Sequence, residues 1–527
     1  METRMNTTHT ITLKQDYCIP CQFIFPQEFE NLIENSSSVK TLKTILGGIN
    51  LEKYKPKHET RGRKGYEYRP MMESILYAYT LGIYSVRKIE EAMKNDIRFI
   101  WLSGGIHPSY KTISEFIKYQ IGKNAETIFK ELNDVIEAED DIDVNTIYID
   151  GTKIEANATK FSFVWKKATQ KYQEKLMVKM SKDIVELDEF FKECNIGIHY
   201  LVKDFYQVED FIEVFNSLDK IHQNVDSIFT YGKGHRKNEF QKWYETFESY
   251  KNKAMEYSEK IRICGNRNSY SKTDHDATMM HGKEDYYNKT GIFKAYYNIQ
   301  VGVSNEYIRL IGVYQDSNDL RTFKPFMEDY NRLYQHYPIY PVGDAGYGSY
   351  ENYIYCISNH MELVQKYNTF SQDKEGKEKV RYQVTKEGKM VCPKGHEFIY
   401  NRDTESIRYG VYKIVQNYVC TRCKDCPIKS TCTKEKDSKS LAINVVYEEM
   451  KQVVQDNLNS DLGIQQRVRR SIEAEGAFGI IKQDWDYRRI HRRGIDNVKL
   501  EMFLIAIGFN MKKFHQRMVI RKSKIMN

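Results

Sequence analysis

The chain reads as an α/β protein: a mixed-sheet core, an all-helical block before it, and two insertions, one helical and one β-rich with cysteines. Three observations predict this. The runs TIYIDG and PIYPVGDAG are short, β-branched or aromatic, and end on an acid beside glycine, the pattern of buried strands running into turns. Long stretches on either side repeat apolar residues at helical spacing. At 527 residues, 41% of them hydrophobic, the chain is too long for one ordinary core and can fill several.

Taken in order, residues 1–66 form an N-terminal arm and linker that runs into the polar, basic stretch KPKHETRGRKGYEYRP (Lys55–Pro70). Residues 67–140 are the helical block. Met71–Ser85 is apolar at helical spacing, and Ser85–Leu102 opens on a serine N-cap with acids early in the helix. After GGIHP the pattern restarts over Pro108–Gly122. Its opening residues Ser109, Tyr110, Lys111 and Thr112 suit either the reading helix of a helix-turn-helix, with Lys111 on DNA, or a small bundle.

Residues 141–160 begin the core, with Asp150 at the C-terminal end of the strand TIYID. Residues 161–260 are charged and helical, an insertion suited to contacting DNA or another protomer. The core continues over 261–364 through strands at Ala295–Ser304 and Tyr307–Asp316, a helix at Leu320–Tyr337, and a strand, glycine turn and helix around Asp344. Residues 365–447 are the cysteine-containing insertion, 448–515 the C-terminal helices of the core, and 516–527 a basic tail.

The formal net charge is +8, and Asp461–Asn527 alone holds fifteen Lys and Arg against seven Asp and Glu. That segment therefore carries the whole excess, which points to a polyanionic partner, most simply nucleic acid. No apolar run is long enough to span a membrane, and METRMNTTHTITLKQDY lacks the apolar stretch of a signal peptide. A cytoplasmic location is expected. Ten cysteines there imply thiols or a metal site rather than disulfides. Cys420, Cys423, Cys426 and Cys432 form C-x2-C-x2-C-x5-C, with Cys392 and His396 upstream, a spacing that suits either Zn²⁺ or a set of small buried side chains. Cys18 and Cys21 read as an incidental pair.

Strand-end aspartates beside glycine are where an α/β sheet presents carboxylates to a divalent ion. Two such acids and a third on a nearby helix suit a two-metal phosphoryl displacement, and the basic segment makes a nucleic-acid phosphodiester the natural substrate. In YIDGTKIEANA, YPVGDAGYGS, and AEGAFGIIK followed by YRRIHRRG, in that order, the sequence resembles bacterial insertion-sequence transposases with an RNase H-like DDE core. DHDATMM with YYNIQVGV, the CTRCKDCPIKSTCT run and the N-terminal helices resemble further parts of that family, so the likeness covers nearly the whole chain.

The resemblance implies an RNase H-like mixed-sheet core. It implies Asp150, Asp344 and Glu475 as the triad that binds Mg²⁺, with Mn²⁺ able to substitute. Lys482 would contact DNA, joined by Arg488, Arg489, Arg492, Arg493 and Lys111. The implied partners are double-stranded transposon inverted repeats and target DNA, bound by a homodimer in a DNA complex in the bacterial cytoplasm, at the nucleoid. The implied reaction is cleavage of transposon ends and their transfer to target. A non-catalytic DNA-binding repressor and a structure-selective nuclease are the alternatives with the same fold. The family's arginine four positions before the glutamate is Ser471 here, and the nearest arginine is Arg470.

A continuous helix over Arg467–Ile490 would put Glu475 on one face with Ser471, Phe478, Gly479 and Lys482. Glu473 would face Ala477 and Ile480. The metal-binding acid belongs beside the phosphate-contacting lysine, because one scissile strand touches both. Glu475 is therefore the expected ligand, and Glu473 is expected to pair with Arg469 or Arg470 or to face solvent. DHD (Asp274–Asp276) is left as a segment lining the site. Trp165 and Trp485 are candidates for base stacking, though ordinary core positions for such aromatics are commoner.

Overall fold

The computed structural model describes residues 29–55, 65–224, 229–232, 234–282, 288–374, 382–385, 388–435 and 437–526. The Cys18–Cys21 pair, most of the N-terminal arm and the middle of the Lys55–Pro70 stretch lie outside the described residues.

Apolar side chains three and four residues apart wind the N-terminal part into helices. Helix α1 (Ser38–Gly47) buries Val39, Leu42, Ile45 and Leu46, and α2 (Tyr68–Thr80) is enclosed on almost every side. The helix expected over Ser85–Leu102 is two, α3 (Val86–Asn95) and α4 (Ile97–Ser103). Asp96 breaks it, because its carboxylate accepts from the Arg98 backbone N–H (2.9 Å) and caps α4 instead of continuing α3. Ser85 stands at the α3 N-cap but makes no side-chain bond there. Ser109 does cap α5 (Tyr110–Glu115), accepting from Thr112 N–H at 3.3 Å. A π-helical turn, Phe116–Ile121, and α6 (Ala125–Glu139) follow.

Strand β1 (Thr146–Glu155) starts the sheet. The helical insertion leaves and re-enters through a two-stranded neck, β2 (Phe163–Trp165) paired with β3 (Ser269–Ser271). Between them α7 (Lys166–Glu193), α8 (Val208–Asn224) and α9 (Glu239–Cys264) share a core of their own around Met180, Leu187, Leu218 and Phe247. Strands β4 (Thr278–His281), β5 (Phe293–Ser304) and β6 (Tyr307–Tyr314) come next, with β4 and β6 both antiparallel to β5. Helix α10 (Asp319–Tyr334) leads to β7 (Tyr340–Val342), and α11 (Tyr350–Ser358) follows. β1 lies between β5, antiparallel, and β7, parallel, so the five strands make one mixed sheet.

The cysteine-containing insertion holds short β8 (Gln383–Val384) and β9 (Met390–Val391), then the sheet of β10 (Ile399–Arg408), β11 (Val411–Cys420) and β12 (Lys439–Ile443). Helices α12 (Val445–Asn459) and α13 (Asp461–Arg470) return the chain to the main sheet. The final helix, α14 (Ile495–Met526), takes in the expected basic tail as its last turns.

The N-terminal helices do not pack alone. Leu76, Phe129, Ile299, Ile308, Phe503 and Ile507 belong to one continuous apolar core, so the helical block, the sheet and α14 are held together. Asp140, at the end of α6, clamps that assembly. It is buried and accepts from Tyr307 Oη (2.7 Å), Arg517 Nη1 (2.9 Å) and Arg521. Burial pushes its carboxyl up, but the arginines and the tyrosine outweigh this and hold it below the usual range. A depressed carboxyl pKa contributes stability above the unfolded value of about 4, and that stability is lost as pH falls through the folded value. Asp140→Asn should therefore cost about 3 kcal/mol near neutral pH. The gap from wild type should close on acidification, read from urea unfolding at several pH values; a gap independent of pH would refute the clamp.

Candidate active site

Asp150 is not at the end of a strand, as the sequence suggests, but in the middle of one. β1 continues because Gly151 to Glu155 pair with Gln300 to Tyr296 of β5. Gly151 makes a close approach possible: a Cβ there would lie 3.0 Å from Asp319 Oδ1 and would also strike the Gln300 amide. Asp344 occupies the turn after β7, its Oδ1 accepting from Gly346 N–H at 2.8 Å. Gly346 lies less tightly between Asp344 Oδ1 (2.9 Å from a Cβ) and Asp319 Oδ2 (3.6 Å).

Asp319 is thus a third aspartate at the site. Asn298 Nδ2 (2.7 Å) and Gln300 Nε2 (2.9 Å), both from β5, donate to its Oδ1. The Tyr347 hydroxyl donates in turn to Gln300 Oε1. Burial first, then the carboxylates of Asp319, Asp150 and Asp344, raise the Tyr347 phenol well above its usual range, with Arg470 opposing them. Three carboxylates and one guanidinium therefore act on a single buried phenol. The only sequence signal for Asp319 was SND ahead of an apolar helix, which reads as a capping motif; Asn318 does cap α10, accepting from Leu320 N–H at 3.1 Å.

The expected continuous helix over Arg467–Ile490 is broken by two π-helical turns, Ser471–Glu475 and Ile480–Asp484, and ends at the second. A π turn bonds residues five apart, so side chains at i and i+5 stack where an α-helix would stack i and i+4. Arg470 and Glu475 are related in this way. Arg470 Nη2 donates to Glu475 Oε1 at 2.7 Å, and its Nη1 lies 3.7 Å from Asp150 Oδ1. Arg470, one position before Ser471, joins two of the predicted acids. Lys482 Nζ donates to Thr152 Oγ1 at 2.5 Å, two residues beyond Asp150 on β1.

Glu473 departs from the expectation in part. It neither faces solvent nor pairs with Arg470; it is buried and accepts from the Glu306 backbone N–H at 3.1 Å, in the β5–β6 turn. Burial raises its carboxyl above the usual range, while that bond and Arg469 oppose the shift. The π turn rolls Glu473 inward and leaves Glu475 half exposed.

DHD does not line the site. Asp274 is buried, accepting from Tyr297 Oη and Gly494 N–H, and Asp276 accepts from Ile495 N–H at 2.8 Å. The pair anchors the start of α14. Trp485 packs on Gly82, Tyr84 and Phe509, a core position, whereas Trp165 is exposed at the neck. Arg489 and Arg493 donate to the carbonyls of Ala156, Ala158 and Asn157, bracing the chain beyond β1. Arg488 is exposed beside Asp486 (2.9 Å), Arg492 is half-buried, and Lys111 is exposed on α5.

The four cysteines expected to form a set divide. Cys420 and Cys423 join Cys392, Phe398, Leu441 and Ile443 in a small apolar core, while the Cys432 thiol accepts from Lys439 Nζ at 3.2 Å. Burial, then neighbouring Cys420, pushes the Cys423 thiol up to about 11, which favours the protonated form. Among the described residues, neither these thiols nor the acids stand as three side chains at the spacing of a closed metal-ligand set. Between Asp150 and Glu475 it is the Arg470 head that is held.

Residues 391–515 match the family model described as the transposase DDE domain, a stretch that includes Glu475 and Lys482 but neither Asp150 nor Asp344. Residues 27–119, which include Lys111, match the model described as a transposase domain (DUF772). No curated protein and no solved structure matches the chain. Among the described residues no helix is long and apolar enough to cross a membrane.

Proposed function

We propose, from its two transposase-matching segments, that this chain is an insertion-sequence DDE transposase that cuts DNA at transposon ends and joins them to target DNA. The observation that carries the reading is the junction of Asp150 and Glu475 through Arg470, with Asp344 on the adjoining strand end and Lys482 fixed beside Asp150. The strand order supports an RNase H-like core, because β6, β5 and β1 are antiparallel neighbours and β7 then joins parallel, followed by a helix.

The residues fit a divalent ion in kind. All the donors are carboxylate oxygens, the ligands that hard cations prefer, and a cationic head already lies between two of them. Asp150, Asp344 and Glu475 would hold Mg²⁺, with Mn²⁺ as a substitute. When bound, the ion supplies Lewis-acid polarisation of the scissile phosphate.

The protein's own groups do the rest. β1 and the β7 turn present two carboxylates from a rigid sheet, and Arg470 holds the third. Lys482, anchored on Thr152, sets a positive charge where the strand must pass, and Lys111, Arg488 and Arg492 extend it along the duplex. Asn298, Gln300 and Tyr347 fix Asp319 against the site. Cleavage and joining share one site because only the nucleophile changes, water first and a DNA 3′-OH second. By analogy with the family, two ends brought together imply at least a homodimer.

Labelled duplexes carrying the DNA that flanks the coding region on either side, searched first for inverted repeats and then incubated with Mg²⁺ and a target plasmid, test this. Joined product is expected. Cleavage without joining would make the protein a structure-selective nuclease, and binding without either would make it a repressor.

A further inference from the structure

One turn of α13 holds three buried donor nitrogens that have no hydrogen-bond acceptor among the described residues: Gln466 Nε2, Arg467 Nε and Arg470 Nη1. A buried donor without an acceptor costs about 1–3 kcal/mol, and more when it is charged. Native structures rarely keep such groups without a reason, and here three occur within five residues. Arg467 rests on the Phe370 ring at 5.9 Å, a contact that positions the guanidinium but offers its N–H groups no lone pair in their plane.

A third cation meets them from the sheet. Residues 362–367 run beside β7, with Glu362 N–H on Ile339 O (2.8 Å), Lys366 N–H on Gly343 O (3.4 Å) and Gln365 Nε2 on Pro341 O (2.6 Å). Gly348 has no room for a Cβ, which would collide with the Lys366 carbonyl. Lys366 is therefore fixed, half-buried, at the end of this strand-like segment, next to the Gly343–Asp344 step. Burial and the guanidiniums of Arg470 and Arg467 depress its ammonium pKa, while Asp344 and Glu475 pull the other way. Lys366 thus joins two arginines at the rim of the acid site: Arg470 already holds Asp150 and Glu475, whereas Arg467 Nε and Gln466 Nε2 meet no hydrogen-bond acceptor among the described residues.

We infer that Lys366, Arg467 and Arg470 form a seat for a backbone phosphate of the DNA strand, next to the scissile one. The inference rests on the transposase reading and adds Lys366 and Arg467, which none of the recognised motifs contains. Guanidinium forks match phosphate oxygens, and an ammonium adds a point charge. Inorganic phosphate has the same chemistry, but Lys366 stands beside the Gly343–Asp344 step and Arg470 on Glu475, where a phosphodiester strand must lie if those acids act on it.

The test is binding in EDTA, independent of cleavage, to the inverted-repeat duplex over a range of KCl. Lys366→Gln should weaken binding about tenfold and lower the salt slope by about one, and Lys366→Arg should restore both. With wild-type protein, a neutral methylphosphonate scanned through the strand should weaken binding at one position near the cleavage point, and Lys366→Gln should lose less there than wild type, because the two arginines remain. Equal sensitivity of both proteins at every position would overturn the seat. So would unchanged DNA binding in Lys366→Gln alongside loss of a thermal stabilisation by inorganic phosphate. Melting temperatures guard against misfolding, and the methylphosphonate scan on wild type needs no variant. Failure of wild type to cut would sink the transposase reading, whereas the salt slope would still report on the seat.

Discussion

Asp150→Asn should reduce cleavage of labelled ends by on the order of a thousandfold, the loss typical when one electrostatic anchor of a reacting phosphate is removed, while leaving binding to the same DNA intact. The substitution keeps the shape of a side chain that is almost fully enclosed in β1 and removes only its charge. Arg470 loses one of its two acid partners but keeps the 2.7 Å bond to Glu475, so the fold should hold. Cleavage by the variant at a rate near that of wild type would remove Asp150 from the chemistry. Asp344→Asn is the matching experiment on the other strand end, and a similar loss is expected because one site serves both carboxylates.

What the sequence made legible follows from periodicity. Alternating or continuous apolar runs located β1, β5, β6 and β7, and helical spacing located α2, α10 and the long helices of the insertion. Period alone hid three things. β1 runs past Gly151 because its pairing with β5 is a long-range interaction, and glycine there accommodates the Asp319 carboxylate instead of ending the strand. Asp319 is not singled out because its partners, Asn298 and Gln300, are distant in sequence. Lys366 sits in a polar stretch, and only its position beside β7 brings it to Asp344. The π turns also leave no mark in a hydrophobic pattern. They shift the register by one residue, which is why the arginine partner of Glu475 lies five positions before it and not four.

That one-residue shift separates the two glutamates and gives the second large expected effect. Glu475→Gln should lose cleavage to an extent comparable with Asp150→Asn while unfolding like wild type, since Glu475 is half exposed and its one described bond is to Arg470. Glu473→Ala should behave in the opposite way. It removes the acceptor for the Glu306 N–H in the β5–β6 turn and empties a buried position, a loss of about 2–3 kcal/mol. Alanine is therefore a poor control for chemistry at this position, because an inactive Glu473→Ala protein could simply be unfolded. Glu473→Gln is the better one: it keeps an acceptor oxygen for Glu306 and removes the burden of a buried charge. Because the carboxyl is raised in the folded state, wild type gains stability as pH falls through the folded value, whereas the glutamine variant does not. Relative to wild type, Glu473→Gln should be at least as stable at neutral pH and should lose that advantage on acidification, as read from urea midpoints. It should also retain cleavage. Loss of cleavage in a folded Glu473→Gln, with activity kept in Glu475→Gln, would transfer the metal-binding role to the buried acid and would mean that the π turn unwinds when DNA is bound.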